Sequence, residues 1–415
     1  DLGIYSTTAA PWDLVHTGGN FMADGFGTAF SSNLVLDENG PAGDFNTTVR
    51  DAAGVDSVMN RFMGILPGRY VKMSTLPYDG IHHIDMHMKL LDEETLLVGQ
   101  FPAGQSDGPQ IEQNIQYVLS NFNSVFGTPY RVVRIPMPPS SSGAFPPSAS
   151  YRTYANNIFI NKTVIVPTYR EQYDTTGLRI LRQSLPGYRV VGIDCDNMDA
   201  NIISQSGAIH CITKTIGVRD PLLIRHQRLS DTYETVTPYP VEAWVRHRSG
   251  VSEAEVWWTT DTTAGYSPVP MNPGADNTWT AAIPAQPAGS TIYYYIHATA
   301  NNGKQQVRPI TAPHGWWRFR VLDLGAGIGA EGPRIADAYP NPTSGVLVIE
   351  LADAGRERLR IALLDALGRE AMRILDGPLH ADGRAFADLS LLPPGAYQLV
   401  VESANGRCAR KVVKH

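Results

Sequence analysis

Two stretches of the chain gather the residue types that do proton and covalent chemistry. GAIHCITK (207–214) sets Cys211 directly behind His210 and four residues past Gly207, in a chain with three cysteines. HHIDMHMK (82–89) is the densest cluster of titratable groups. Read as a strand, that run puts His83, Asp85 and His87 on one face and His82 on the other. A carboxylate two residues from a histidine can fix a cationic group while the histidine moves protons. The same His-x-Asp-x-His spacing offers three ligands to a divalent metal with one coordination position open, and the bland reading is a polar strand near the surface. Cys211 has three readings of its own. It can be a small buried hydrophobe. It can pair with Cys195, 16 residues upstream, in a disulfide contributing about 3 kcal/mol. Or it can be a nucleophile, with the histidine-rich strand supplying the base or cation that a thiolate needs. Residue chemistry alone leaves these open.

The elements that must position these groups repeat. TLLVGQ (95–100) reads as a strand, and GPQIEQNIQYVLSNF (108–122) follows as a helix. Its apolar face carries Ile111, Ile115, Val118, Leu119 and Phe122, with Pro109 in the first turn. YRVVRIP (130–136) is the next strand. The order recurs as NKTVIVPTY (161–169), a helix after Asp174 bearing Leu178, Leu181 and Leu185, and YRVVGID (188–194). The two YRVV strands lie 58 residues apart, from Tyr130 to Tyr188, and GRYVKMS (68–74) is a weaker echo upstream. A fixed period of this kind predicts repeated strand–helix–strand units, as in a short αβ-propeller. A doubly wound sheet is the alternative that would not require the echo.

From about residue 221 the helical period disappears. VEAWVRH (241–247), AEVWWTT (254–260), TIYYYIHATA (291–300) and WWRFRV (316–321) alternate or carry dense aromatics between Pro, Gly and Asn turns, the pattern of an immunoglobulin-like sandwich. A glycine-rich linker, LGAGIGAEG (324–332), leads into a last β-rich segment. With 43% hydrophobic and 18% charged residues the composition is globular, and a formal charge of -6 argues against a nucleic-acid partner, which would demand clustered Lys and Arg. No apolar run reaches the ~20 residues of a membrane helix. The chain opens at Asp1, so the expectation is that something upstream has been removed.

Four stretches in order, HTGGNFMADGFGTAFSSNLVL (16–36), HHIDMHMK, YANNIFINKTVIVPTY (154–169) and GIDCDN…GAIHCITK (192–214), resemble the agmatine deiminase and bacterial peptidylarginine deiminase family of guanidino-group-modifying enzymes. The resemblance covers residues 1 to 217 and implies a five-bladed pseudo-symmetric αβ-propeller of the pentein type. It makes Cys211 the nucleophile, His83 the general acid/base and Asp85 the carboxylate that grips the guanidinium. Asn156 becomes a substrate-site residue, with Asn157 as the register alternative. His82 and His87 match no role, and the chemistry needs neither metal nor cofactor. One departure matters. The family's first blade carries a second guanidinium-binding aspartate in an Arg-Asp-Tyr type motif, and its peptidylarginine branch adds carboxylate-binding arginines. Neither motif is present, so the expected propeller is N-terminally truncated by about one blade and, as it stands, inactive.

AYPNPTSGVLVIEL (338–351), LLDALGRE (363–370) and LPPGAYQLVV (392–401) resemble the C-terminal sorting domain read by the type IX secretion machinery. The expected chain is thus α+β: a truncated propeller at 1–220 followed by two β-sandwich domains. The first is an immunoglobulin-like sandwich at 221–322, and after a linker at 323–334 comes a sorting domain at 335–415. Its expected work is hydrolysis of a guanidino to a ureido group, on peptidyl-arginine, outside the cell or on its surface. Agmatine deimination, a metallohydrolase using His83, Asp85 and His87, and an inactive surface-binding protein are the alternatives.

Overall fold

The computed structural model describes residues 10–45, 47–197, 201–205, 207–213, 217–322, 334–343, 345–352, 358–365, 369–379, 384–403 and 406–415. The described residues of 10–156, 195–211 and 334–415 form one compact unit, and those of 157–194 and 212–322 another.

One motif occurs three times along 22–194. In the first copy β1 (Met22–Ala23) and β2 (Ala29–Ser32) are antiparallel, α1 (Leu34–Asn39) and α2 (Ala52–Met63) follow, and β3 (Tyr70–Met73) returns parallel to β2. In the second, β4 (Met88–Asp92) pairs antiparallel with β5 (Thr95–Gln100), α3 (Gly108–Asn121) crosses over, and β6 (Arg131–Pro136) lies parallel to β5. In the third, β7 (Ile158–Ile160) and β8 (Thr163–Thr168) form the hairpin, α4 (Glu171–Ser184) crosses, and β9 (Arg189–Asp194) closes parallel to β8. A parallel pair cannot be joined by a tight turn, so each unit needs its helix. Local chemistry places those helices. The Asp51 side chain accepts from Gly54 N at the start of α2, and Gly64 takes the left-handed φ of 69° at its end. Pro109 occupies the first turn of α3, whose buried face is Ile111, Asn114, Ile115 and Val118. Helix α4 begins at Glu171, earlier than expected, so Asp174 lies inside the first turn; its carboxylate accepts from Tyr169 N at 3.0 Å.

The aromatic segment is a two-sheet sandwich. One sheet runs β10 (Leu223–Arg225), β11 (Tyr239–Arg246), β15 (Thr278–Ile283), β14 (Asn272–Pro273). The other runs β13 (Ser267–Pro270), β12 (Val251–Thr259), β16 (Thr291–Ala300), β17 (Gln305–Arg308), with β18 (Trp317–Arg320) also on β16. Val241, Val245, Val256, Trp279, Tyr294, Ile296 and Phe319 share one core between the sheets. Within the same compact unit the sandwich docks on the third repeat: Thr311 Oγ1 donates to Pro186 O at 2.9 Å and Lys162 Nζ to Ala312 O at 3.3 Å. The C-terminal segment has two further sheets. These are β19 (Arg334–Tyr339), β20 (Val346–Ala352) and β23 (Arg384–Asp388), and β22 (Glu370–Pro378), β21 (Arg358–Leu364), β24 (Gly395–Ser403) and β25 (Gly406–Lys414). They close over Leu347, Ile349, Leu359, Ile361, Leu399 and Val401. Among the described residues no helix is long and apolar enough to cross a membrane.

Candidate active site

The segments that lead into the repeated hairpins, together with residues 207–211, supply the site. Gly18–Asn20 precedes β1 as a 3-10 turn, Ile84–Met86 precedes β4 as another, and Tyr154–Asn156 precedes β7. The strand expected over 82–89 is therefore corrected: His83 caps a 3-10 turn, and only from Met88 is the backbone a ladder strand. Side-chain bonds wind the backbone here: Asp79 holds the turn by accepting from Ile81 N and His83 N. With the strand goes the shared face of His83, Asp85 and His87. His87 is fully buried, and neither ring nitrogen has a partner among the described residues. Among those residues no three His, Cys, Asp or Glu side chains converge so as to hold a metal ion.

Asp85 is 0% exposed. Its Oδ2 accepts from His210 Nδ1 at 2.7 Å and from the Cys211 thiol at 3.3 Å, while Oδ1 has no partner among the described residues. Asn156, also fully buried, meets Cys211 from the other side: Nδ2 lies 3.1 Å from Sγ and 3.8 Å from Met86 Sδ. The Asn156 Oδ1 accepts from Ala208 N at 3.2 Å and His210 N at 3.0 Å, and its backbone oxygen accepts from His210 N at 3.3 Å. One amide thus fixes both the turn that carries Cys211 and its sulfur. Asn20 performs a parallel service, accepting from Ser32 N at 2.9 Å and Ile84 N at 3.3 Å to pin the turn that carries Asp85.

Two glycines make room for the cluster. A Cβ on Gly19 would stand 2.6 Å from His83 Nδ1 and 2.9 Å from Asp85 Oδ2. A Cβ on Gly207 would stand 2.9 Å from both Cβ and Sγ of Cys211. The buried Arg152 forks onto Asp196 at 2.6 and 2.9 Å, anchoring the start of the segment that ends at Cys211. Neither Cys195 nor Cys211 is in a disulfide, and Cys195 is wholly buried.

The electrostatics follow from burial around one carboxylate. Burial, and then Asp85, push the Cys211 thiol up to about 11, against the hydrogen bond from Asn156. Burial lowers His83, with Asp85 opposing, so its ring is neutral at neutral pH. Lys89, buried on β4, is brought down to about 8 by burial, while Asp85 and Cys211 act the other way. Burial raises Asp79 to about 6. At neutral pH the site therefore holds a protonated thiol beside the buried Asp85 side chain.

Of the residues singled out from sequence, Asp85, Asn156 and Cys211 meet directly, and His83 lies against the same Gly19 as Asp85. His210, Gly19, Asn20 and Gly207 were not singled out. The G-G-N triplet and the histidine beside the cysteine were the available signals.

Cys211 Sγ thus stands between a buried carboxylate and a buried amide. The chain belongs to the Porphyromonas-type peptidyl-arginine deiminase family, whose pattern matches residues 3–216, a family of enzymes acting on guanidino C–N bonds. Residues 337–415 match a secretion system C-terminal sorting domain, so the chain is addressed by the type IX route to the outside or the cell surface. A putative agmatine deiminase of Vibrio parahaemolyticus is 22% identical over 219 residues, 48% of this chain and 57% of that protein. Among solved structures, a putative arginine deiminase from Porphyromonas gingivalis shares 24% identity over 48% of this chain and 56% of its own, with a TM-score of 0.40. An agmatine deiminase from C. jejuni shares 20% over 48% and 54%, with a TM-score of 0.38. Apart from shorter matches, the chain spans little more than half the length of these relatives.

Proposed function

We propose that the chain carries the Cys211–Asp85–His83 centre of a secreted arginine deiminase, with the three repeated units as blades of a pentein propeller and peptidyl-arginine as substrate. The observation that carries this is Cys211 Sγ held between Asp85 Oδ2 at 3.3 Å and Asn156 Nδ2 at 3.1 Å. The guanidinium docks on Asp85 and brings a positive charge beside the thiol, opposing the burial that keeps it protonated. The thiol proton passes to the neutral His83, and Sγ bonds to the guanidinium carbon. His83 returns the proton to the departing nitrogen as the C–N bond breaks, releasing ammonia. A water then gives a proton to His83 and attacks the amidino-thioether. Collapse of that adduct expels Sγ, which takes the proton back from His83, and loss of the hydroxyl proton to the released ammonia leaves the ureido product and the resting thiol. Asn156 Nδ2 steadies the sulfur as it arrives at and leaves the carbon.

Export supports peptides over agmatine as substrate, because a protein sent to the surface meets peptidyl-arginine there. Agmatine is the second reading, favoured by the name of the V. parahaemolyticus relative. The test compares ammonia release and ureido formation from peptides with internal or C-terminal arginine, free arginine and agmatine. A higher kcat/KM on peptides supports the proposal. A tenfold preference for agmatine, about 1.4 kcal/mol, moves the substrate. Release from none, in a chain that also carries the family's first-blade motif, supports a binding protein on the same scaffold.

A further inference from the structure

Asp85 is unevenly satisfied. Its Oδ2 takes two donors, His210 Nδ1 at 2.7 Å and the Cys211 thiol at 3.3 Å. Its Oδ1 is buried with no hydrogen-bond partner among the described residues. A buried carboxylate oxygen left without a donor is costly, and such an oxygen in a site marks where a ligand's donors go. The terminal torsion of an aspartate is soft, so something must keep Oδ1 presented. The thiol is a weak donor, and once its proton has left it donates nothing. From then on the imidazole alone, of these two, still holds Oδ2. The backbone that carries the imidazole is itself held, because the His210 amide donates to both oxygens of Asn156.

We infer that His210 is a positioning residue for the recognition carboxylate: its ring fixes Asp85 through Oδ2, so that Oδ1 is presented to the N–H groups of a planar cation. The inference rests on the reading of Asp85 as the guanidinium-binding group. It divides the two carboxylate oxygens by task, one turned to the protein and one to the ligand. The donor must sit where Nδ1 sits. Asparagine, whose Nδ2 falls near the position of Nδ1, is therefore the conservative replacement, and alanine is the disruptive one.

The test needs no turnover. Cys211 of the full chain is alkylated with 2-chloroacetamidine, a planar cation, and with iodoacetamide, which is neutral; labelling at Cys211 is followed by peptide mapping so that Cys195 and Cys408 do not contribute. The readout is the ratio of the two rates. The wild-type ratio should exceed that of Asp85→Asn by tenfold or more. His210→Ala should drop to near the Asp85→Asn value, and His210→Asn should recover most of the wild-type ratio. A wild-type ratio in His210→Ala, or His210→Asn no better than His210→Ala, overturns the inference while leaving Asp85 as the recognition group. A ratio insensitive to Asp85→Asn overturns the guanidinium reading and this inference with it.

Discussion

The second and third repeats share connectivity and even the strand motif, YRVVRIP against YRVVGID, yet they are buried differently. In the second, β5 is buried from Thr95 to Gly99, and Tyr130 and Ile135 of the β6 region are 0% exposed. In the third, the matching Ile193 is 44% exposed and β9 buries no residue fully. The helices differ in the same direction, since α3 buries Ile111, Asn114, Ile115 and Val118 and α4 buries Gly177 and Leu181. The repeat sets the topology through its hairpin, crossover helix and parallel return. It does not set burial, which depends on the neighbours each copy meets. Both lead-in segments nevertheless bring a side chain to Cys211: Asp85 precedes the buried unit and Asn156 the more exposed one.

The sharpest way to break this comparison is to make one substitution in both copies. Ile135→Ala should cost about 4 kcal/mol, because it leaves a cavity in a closed core. Ile193→Ala at the matching position should cost under about 1 kcal/mol. Urea midpoints at constant slope read both, and equal losses would mean that the third unit is covered as completely as the second.

The next effect belongs to the lead-in of the buried unit. His87 binds its proton at about 4 when folded, against 6.5 as its ordinary value, because burial disfavours the charged ring. As pH falls the unfolded chain takes up the proton first. The contribution is therefore complete above pH 6.5 and is lost progressively down to about 4, to a total of about 3 kcal/mol. Denaturation midpoints between pH 7 and 4 should fall less steeply in His87→Leu than in the wild type. Parallel curves would remove His87 as the cause.

Asn156→Ala leaves Ala208 N and His210 N without their acceptor and should cost about 2 kcal/mol of stability. Asn20→Ala strips Ser32 N and Ile84 N of theirs and should cost as much. Only Asn156→Ala should also slow Cys211 alkylation by neutral reagents, since only that side chain touches Sγ. Equal alkylation in the two variants would contradict the assignment.

The smallest effect is a shift of a titration curve. With the thiol pushed up to about 11, Cys211 alkylation by iodoacetamide should keep rising with pH through 10. Asp85→Asn removes the second cause of the shift and should move the curve to lower pH. A curve that levels near 9 in the wild type would contradict the burial assigned to the sulfur.

Much of the scaffold was legible because it rests on local periodicity. The apolar spacing of 108–122 located α3 to within a residue, and the YRVV echo located two of the three parallel strands. Residue types and order picked out Cys211, His83, Asp85 and Asn156 as candidates, and the fold brings Asp85 and Asn156 onto Cys211. The geometry of the site was not legible. HHIDMH alternates in sequence like a strand, but backbone bonds to Asp79 and Asn20 wind it into a turn. Gly19 and Gly207 matter through close approach to residues brought in by the fold, which no local pattern announces. His210 was hidden beside the more conspicuous cysteine, its partner Asp85 lying 125 positions away.

The central claim is that segments leading into repeated hairpins assemble a thiol centre that reacts with a guanidinium carbon. Acid quenching during exposure to an arginine-containing peptide, followed by digestion and mass spectrometry, tests it most directly. The account predicts an amidino adduct on the peptide that contains Cys211, absent from Cys211→Ser and unaffected in Cys195→Ser. Ureido product formed without such an adduct, or an adduct that survives in Cys211→Ser, would contradict it.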